Sequence, residues 1–202
     1  MRLYVETNFI LELALLREEH DACEELLALS EAERIELFLP VFSVGETYEA
    51  WARRSRQRTE LHSRLRSEIL DLSRSKPYQQ SFEEFRELTG LLTRTGGEER
   101  HRLDNALERV LGTARVIPIE LRTILAAQSL QTLKLSPQDL IVYASVLSHL
   151  EETTEAGGEP RMFITRNTKD FASPDVRSGL TTRGCRLFTS FRDVLGFSLS
   201  RL

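Results

Sequence analysis

Four carboxylates stand at boundaries of one kind along this chain of 202 residues. Glu6 closes a short β-type run, Leu3-Tyr4-Val5, and Glu46 opens a helix-like stretch after a second such run. Asp139 opens another helix behind Ser136-Pro137, and Asp170 follows the run Met162-Phe163-Ile164-Thr165. If these runs lie parallel in one sheet, strand ends and helix starts gather on one edge, where open α/β sheets collect ligands and catalytic groups. Crowded carboxylates repel, and burial raises their pKa values unless a cation compensates. Hard divalent cations do this with oxygen ligands; Mg²⁺ takes few carboxylates and keeps several waters. Such an ion acidifies bound water and stabilises charge on a phosphodiester. Thr165 and Asn167 are placed to orient water or a carboxylate. His20, His62, His101 and His149 fall in unrelated contexts that suit no zinc site.

Each acid alone has a plainer reading. Glu46 and Asp139 are first-turn partners of a helix dipole, and Asp170 is a turn acid. Thr7 and Asn8 cap the first helix, with Asn8 a structural support. Glu12 and Glu49 read as solvated faces, and Tyr48 and Trp51 as core rather than base-stacking residues. It is the joint placement of the four acids that favours a metal site.

Alternating helix and strand signals predict a mostly parallel sheet flanked by helices. Strands are expected over about 2–6, 35–41, 116–119 and 162–165, with an edge strand at Arg186-Leu187-Phe188. Helices are expected through Leu16, over 21–33, from Ser43 to about Ser73, from a Ser81 N-cap through Leu92, and over 98–111. Gly96-Gly97 and Gly157-Gly158 read as loops. Further helices start at Pro118, running to about Thr132, behind Ser136 through Leu150, and at Phe191. The helix-rich stretch 52–114 separates two strand signals that need only one crossover helix. It reads as an insertion within a single domain spanning 1–202.

Composition narrows the class. With 41% hydrophobic and 29% charged residues the chain has a full core and is not disordered. Cys23 and Cys185 match no metal-ligand spacing and read as thiols of a cytosolic, hence cytoplasmic, protein. No run is long enough for a membrane span and no secretory signal is evident. The net charge of −4 hides an asymmetry. Residues 52–76 carry eight basic side chains, Arg53, Arg54, Arg56 and Arg58 among them, against three acids, a local +5 that leaves −9 elsewhere. That cluster reads equally as a solvated helix face or as an RNA-contacting surface. Arg166, beside Asn167, is the better single candidate for a phosphate contact.

Four motifs then coincide in order. Val5-Glu6-Thr7-Asn8 resembles the opening hydrophobic-Asp-Thr-Asn motif of PIN-domain nucleases, and Ser43-Val44-Gly45-Glu46 their second acid. Ser136-Pro137-Gln138-Asp139 resembles the third, and Thr165-Arg166-Asn167-Thr168-Lys169-Asp170-Phe171 the closing Thr-x-Asn-x-x-Asp-Phe pattern. The resemblance covers about 1–50 and 115–195. It implies a three-layer α/β fold and metal-dependent endonucleolytic hydrolysis, usually of RNA. Glu6, Glu46, Asp139 and Asp170 would bind Mg²⁺ or Mn²⁺, with Thr165, Asn167 and Asn8 supporting and Arg166, Arg53, Arg54, Arg56 and Arg58 engaging RNA. Many such proteins are toxins of toxin–antitoxin pairs, so an antitoxin or other protein partner and a homodimer are expectations of the same kind. One departure stands out: the first acid is glutamate where the motif has aspartate. Its extra bond adds roughly 1.5 Å of reach, against a tolerance of about 0.5 Å in productive sites. The alternative is a PIN-like module that binds RNA or protein without cutting. A phosphotransferase ranks last, because Glu6-Thr7-Asn8 lacks a second aspartate two residues on.

Overall fold

A computed structural model describes residues 1–77, 82–153 and 158–201, without the side chains of 82–89 and 92–93. Five parallel strands run in the order β3-β2-β1-β4-β5. They are β1 (Arg2–Tyr4), β2 (Glu36–Pro40), β3 (Arg115–Ile117), β4 (Arg161–Ile164) and β5 (Cys185–Phe188). The register pairs Leu3 with Leu37 and Met162, and Tyr4 with Phe38 and Phe163. Because side chains alternate across a strand, the first set faces one side and the second set the other.

Each face is covered, as an all-parallel sheet requires. Leu3, Leu37, Leu39, Met162 and Ile164 pack under α1 (Thr7–Leu15), α2 (His20–Glu31), part of α4 (Phe82–Thr113) and α9 (Phe191–Leu199). Tyr4, Phe38, Phe163 and Leu187 pack under α6 (Pro137–Glu152), α7 (Thr168–Phe171) and α8 (Pro174–Thr181). α5 (Leu121–Ser129) lies against α6. The result is a three-layer α/β/α arrangement. From β1 the chain moves outward to β2 and β3, then crosses back to β4 on the other side of β1. That reversal places a topological switch point at the carboxyl ends of β1 and β4, where open sheets bind ligands.

Several expected boundaries move. Gly96-Gly97 is not a loop; α4 passes through it without interruption. Glycine within a helix costs about 1 kcal/mol relative to alanine. Here the partner α3 (Val41–Leu72) presses close: a methyl group built on Gly96 would lie 4.0 Å from the Arg58 guanidinium. Arg58 donates to Thr95 at 3.1 Å and to both oxygens of Glu99 at 2.9 and 2.8 Å, tying the two long helices together. Of the 52–114 stretch, Leu103, Ala106, Leu107 and Val110 belong to the main core. Arg102 donates to the Ala14 carbonyl and Arg109 bridges Glu24 and Glu31, which fixes this half of α4 on α1 and α2.

α5 begins at Leu121 rather than Pro118, because Glu120 takes the cap position and donates its N–H to Thr123 Oγ1. The helices α7 and α8 were not expected. Yet Ser173-Pro174-Asp175 carries the same capping signal as Ser136-Pro137, and Ser173 Oγ accepts from the Val176 N–H. The Ser81 cap and Gly157 lie outside the described residues. Glu12 is no solvated face residue: it is 3% exposed and accepts the Glu19 N–H at 2.9 Å, closing the turn between α1 and α2. Tyr48 is exposed, and Trp51 packs against the core with the Arg100 guanidinium over both rings. Cys23 and Cys185 are free and buried. Among the described residues no helix is long and apolar enough to cross a membrane.

Candidate active site

Glu6 is the N-cap of α1, directly beyond β1. It is only 6% exposed, and both carboxylate oxygens are taken by Asn8: Oε2 accepts the backbone N–H at 3.0 Å and Oε1 the side-chain amide at 2.8 Å. The extra methylene therefore lets the carboxylate fold back over the helix N-terminus, where a negative charge is favoured. Burial dominates its titration and pushes its pKa up to about 7; the Asn8 bonds and the Thr165 hydroxyl oppose the shift, and the Glu46 charge adds to it.

Glu46 sits in the second turn of α3, which starts as soon as β2 ends. Thr7, next to Glu6, donates its hydroxyl to Glu46 Oε2 at 2.7 Å, so the first two motifs are joined by one hydrogen bond. Asp139 lies in the first turn of α6, where Ser136 Oγ both donates to its carboxylate at 2.6 Å and accepts its backbone N–H at 3.1 Å. The Asn167 amide reaches Asp139 at 3.4 Å and Asp170 Oδ2 at 2.8 Å, bridging the last two acids. Thr165, fully buried at the end of β4, accepts the Asn167 N–H and fixes that amide in place.

Burial also raises the pKa values of Glu46 and Asp139, and each is raised further by an acid neighbour, Asp139 acting on Glu46 and Asp170 on Asp139. The four acids thus form an electrostatic series across the switch point, Glu6 to Glu46 to Asp139 to Asp170. Glu6, Glu46, Asp139 and Asn167 line one open cavity of about 360 Å³, together with Arg53. Glu49 lines it too, although it reads as a solvated residue in the sequence. The available signal was its spacing: Glu46, Glu49, Ala50 and Arg53 recur at the three- and four-residue intervals of one helix face.

The arginines separate. At about 100° per residue, Arg53, Arg54, Arg56 and Arg58 fan around α3 instead of forming one stripe. Arg53 reaches the cavity, Arg58 is held by Glu99, and Arg54 and Arg56 are exposed. Arg166 faces away from the acids toward Glu18 and Glu19, at 3.3 and 3.4 Å.

The donor set suits a hard cation: carboxylate, hydroxyl and amide oxygens, with no thiol or imidazole among the cavity residues. Among the described residues no three acidic, histidine or cysteine side chains stand together as a finished cage. An ion that keeps several waters and uses few direct carboxylates matches that arrangement better than one needing a full protein shell.

In the metal-free protein, Glu6 has a measurable consequence. Its folded pKa of about 7 exceeds the ordinary 4.5, so between those values the folded state holds more protons than the unfolded one. Stability is then greatest below the lower value and falls as pH rises to the upper one, by up to about 3 kcal/mol. Glu6→Gln is expected to flatten this dependence and, after loss of one Asn8 bond, to stabilise the protein at pH 8 by about 2 kcal/mol. Chemical denaturation in chelator at pH 5 and pH 8 checks it; an equal pH slope in both proteins overturns it.

An open parallel α/β sheet with an acidic cavity at its switch point defines the class of α/β proteins that hold their ligands at the carboxyl ends of the strands. A model of the PIN domain family matches residues 3–171. The chain belongs to that family, whose members are generally nucleases acting on nucleic acid with divalent metal ions. The match runs from β1 through the α7 segment that carries Asp170. Neither curated proteins nor solved structures gave a match to this chain.

Proposed function

We propose that this protein is a metal-dependent endoribonuclease whose Glu46, Asp139, Asp170 and Glu6 carboxylates hold Mg²⁺ or Mn²⁺. The observation that carries the reading is that Glu6, Glu46 and Asp139, each raised by burial and by an acid neighbour, line one cavity, a charge arrangement that a divalent cation relieves. When bound, such an ion acidifies water and offsets the negative charge that develops on the phosphodiester. The chain's own residues supply the rest. Thr7 orients Glu46, Ser136 and Asn167 orient Asp139, and Asn167 also holds Asp170, so each of these three carboxylates has a fixed partner. Arg53, on the cavity wall one turn beyond Glu49, is the cation placed to meet a phosphate oxygen. Labelled single-stranded RNA with Mg²⁺ or Mn²⁺, compared with the Asp139→Asn variant, tests the reading.

A second reading has one observation behind it. Both oxygens of Glu6 accept from Asn8, which withdraws part of the first acid's capacity to bind a metal. A PIN domain with that acid so engaged would bind RNA, or a protein, without cutting it. Glu6→Asp shortens the side chain by one methylene and separates the two. Under the nuclease reading, cleavage persists or rises in the variant. RNA binding with no cleavage in either protein, under either metal, favours the binding module.

A further inference from the structure

A second cavity lies at the other end of the sheet, where β1, β4 and β5 begin. It has a volume of about 860 Å³ and is lined by five arginines, Arg2, Arg161, Arg183, Arg186 and Arg201, against two acids, Glu151 and Glu159. Two of the five are neutralised: Arg2 pairs with Glu36 and Glu159, and Arg183 with Glu151. Arg161 donates only to the backbone carbonyls of Leu150 and Thr153, with no carboxylate partner among the described residues. Arg186 and Arg201 are held by an aromatic ring instead. The Arg201 guanidinium lies 4.6 Å from the Phe197 centroid, and that of Arg186 lies 5.8 Å from the same ring and 4.7 Å from Phe188. Cation–π contact fixes a guanidinium without using its N–H donors. Three positive charges therefore line one concavity with donor capacity to spare.

We propose that this cavity is a second binding site, for the phosphate groups of a nucleotide. The volume falls in the range of ligand sites, about 300–1,000 Å³. Planar guanidinium forks match phosphate oxygens bidentately. The choice between anions follows from charge density. A peptide brings one carboxylate per acidic residue, spread along a chain, whereas a phosphorylated nucleotide delivers several charges to a single concavity. The site is separate from the acid cavity, at the opposite ends of the strands, and owes nothing to the catalytic reading. The nucleotide is either free in solution or the phosphorylated end of an RNA strand; both present the same chemistry.

Binding is measured with the full chain in chelator, so that no cleavage occurs and failure of the nuclease reading leaves the result untouched. The probes are a fluorescent ribonucleoside triphosphate and a single-stranded RNA hexamer with or without a 5′-phosphate. The expected result is saturable binding of the triphosphate or the 5′-phosphorylated hexamer, the tighter of the two identifying the source. Each lost guanidinium should weaken affinity by about tenfold or more, the value of a charge-assisted hydrogen bond. Arg186→Gln/Arg201→Gln should therefore all but abolish it. Arg186→Lys/Arg201→Lys keeps both charges, loses both forks, and should fall between the two, with thermal melts of all three proteins superimposing. No binding of any phosphorylated probe, equal binding by all three proteins, or equally effective competition by poly-glutamate of matched charge overturns the proposal.

Discussion

Asp139→Asn is expected to remove metal-dependent RNA cleavage and, in the same protein, to raise the melting temperature measured in chelator. The two effects have one cause. Asp139 is half-buried, its pKa is raised by that burial and by the nearby Asp170 charge, and it raises that of Glu46 in turn. Asparagine keeps the shape and an acceptor for Ser136 while deleting the charge at the centre of the acidic series. Outer-shell partners of a metal ligand carry about 10–100-fold in affinity or activity. A ligand should carry more, so cleavage is expected to drop by well over about a hundredfold. Metal binding gives an independent readout. In the unaltered protein Mg²⁺ at a hundred times its Kd should stabilise by about 2.7 kcal/mol, or roughly 5–10 °C in a chain of this length. In the variant that increment should shrink to near zero. Equal cleavage, or an equal Mg²⁺-induced rise, would remove Asp139 from the metal site.

A second large effect is expected away from the acids. In α8, a methyl group built on Gly179 would lie 2.2 Å from the Tyr143 hydroxyl and 3.5 Å from its ring carbon. Tyr143 has little room to yield: it is 1% exposed, its hydroxyl donates to the Val176 carbonyl at 2.9 Å, and its ring meets Phe171 edge-on. Overpacking of this kind costs about 1–3 kcal/mol, and the displaced hydrogen bond about 1 more. Helix propensity returns less than about 1 kcal/mol for glycine to alanine. Gly179→Ala should therefore destabilise by about 3 kcal/mol, a fall of roughly 6–12 °C. Tyr143→Phe removes the clashing oxygen and leaves only the ordinary 3.5 Å contact. The double variant should accordingly be more stable than Gly179→Ala alone, although Tyr143→Phe by itself destabilises. Additive effects of the two substitutions would show that the close approach is not what fixes glycine there. Because Tyr143 lies one turn after Asp139 and touches the residue after Asp170, the single variant should also loosen the acid cavity and weaken metal binding.

Much of the fold was legible because its signals are local. Short apolar runs rich in β-branched and aromatic residues gave β1 and β4 within two residues, and Ser136-Pro137 gave the start of α6. The same serine–proline rule would have found α8. Gly96-Gly97 misled because a propensity penalty of about 1 kcal/mol per glycine is outweighed by α3 lying alongside, a contact between residues nearly forty positions apart. Glu12 misled for a similar reason. Its helical position is unremarkable, and only the α1–α2 turn folding back buries it.

What the sequence determined by itself was the chemistry available and its order: three acids after strand signals and Asp139 behind the Ser136-Pro137 helix start, with a hydroxyl and an amide after the first strand and again after β4. Such boundaries follow from side-chain periodicity and capping, which act over a few residues. Tertiary structure alone decided what those groups do to one another. It joined Thr7 to Glu46 and Asn167 to both aspartates, folded Glu6 back onto Asn8, and turned Arg166 and Arg58 toward structural partners while leaving Arg53 at the cavity. It also gathered Arg161, Arg186 and Arg201 at the far end of the sheet, where no motif announced them. The physical reason is range. Propensity and capping are settled by neighbours in the chain, whereas burial, charge coupling and hydrogen-bond partnership depend on which segments the sheet order brings together.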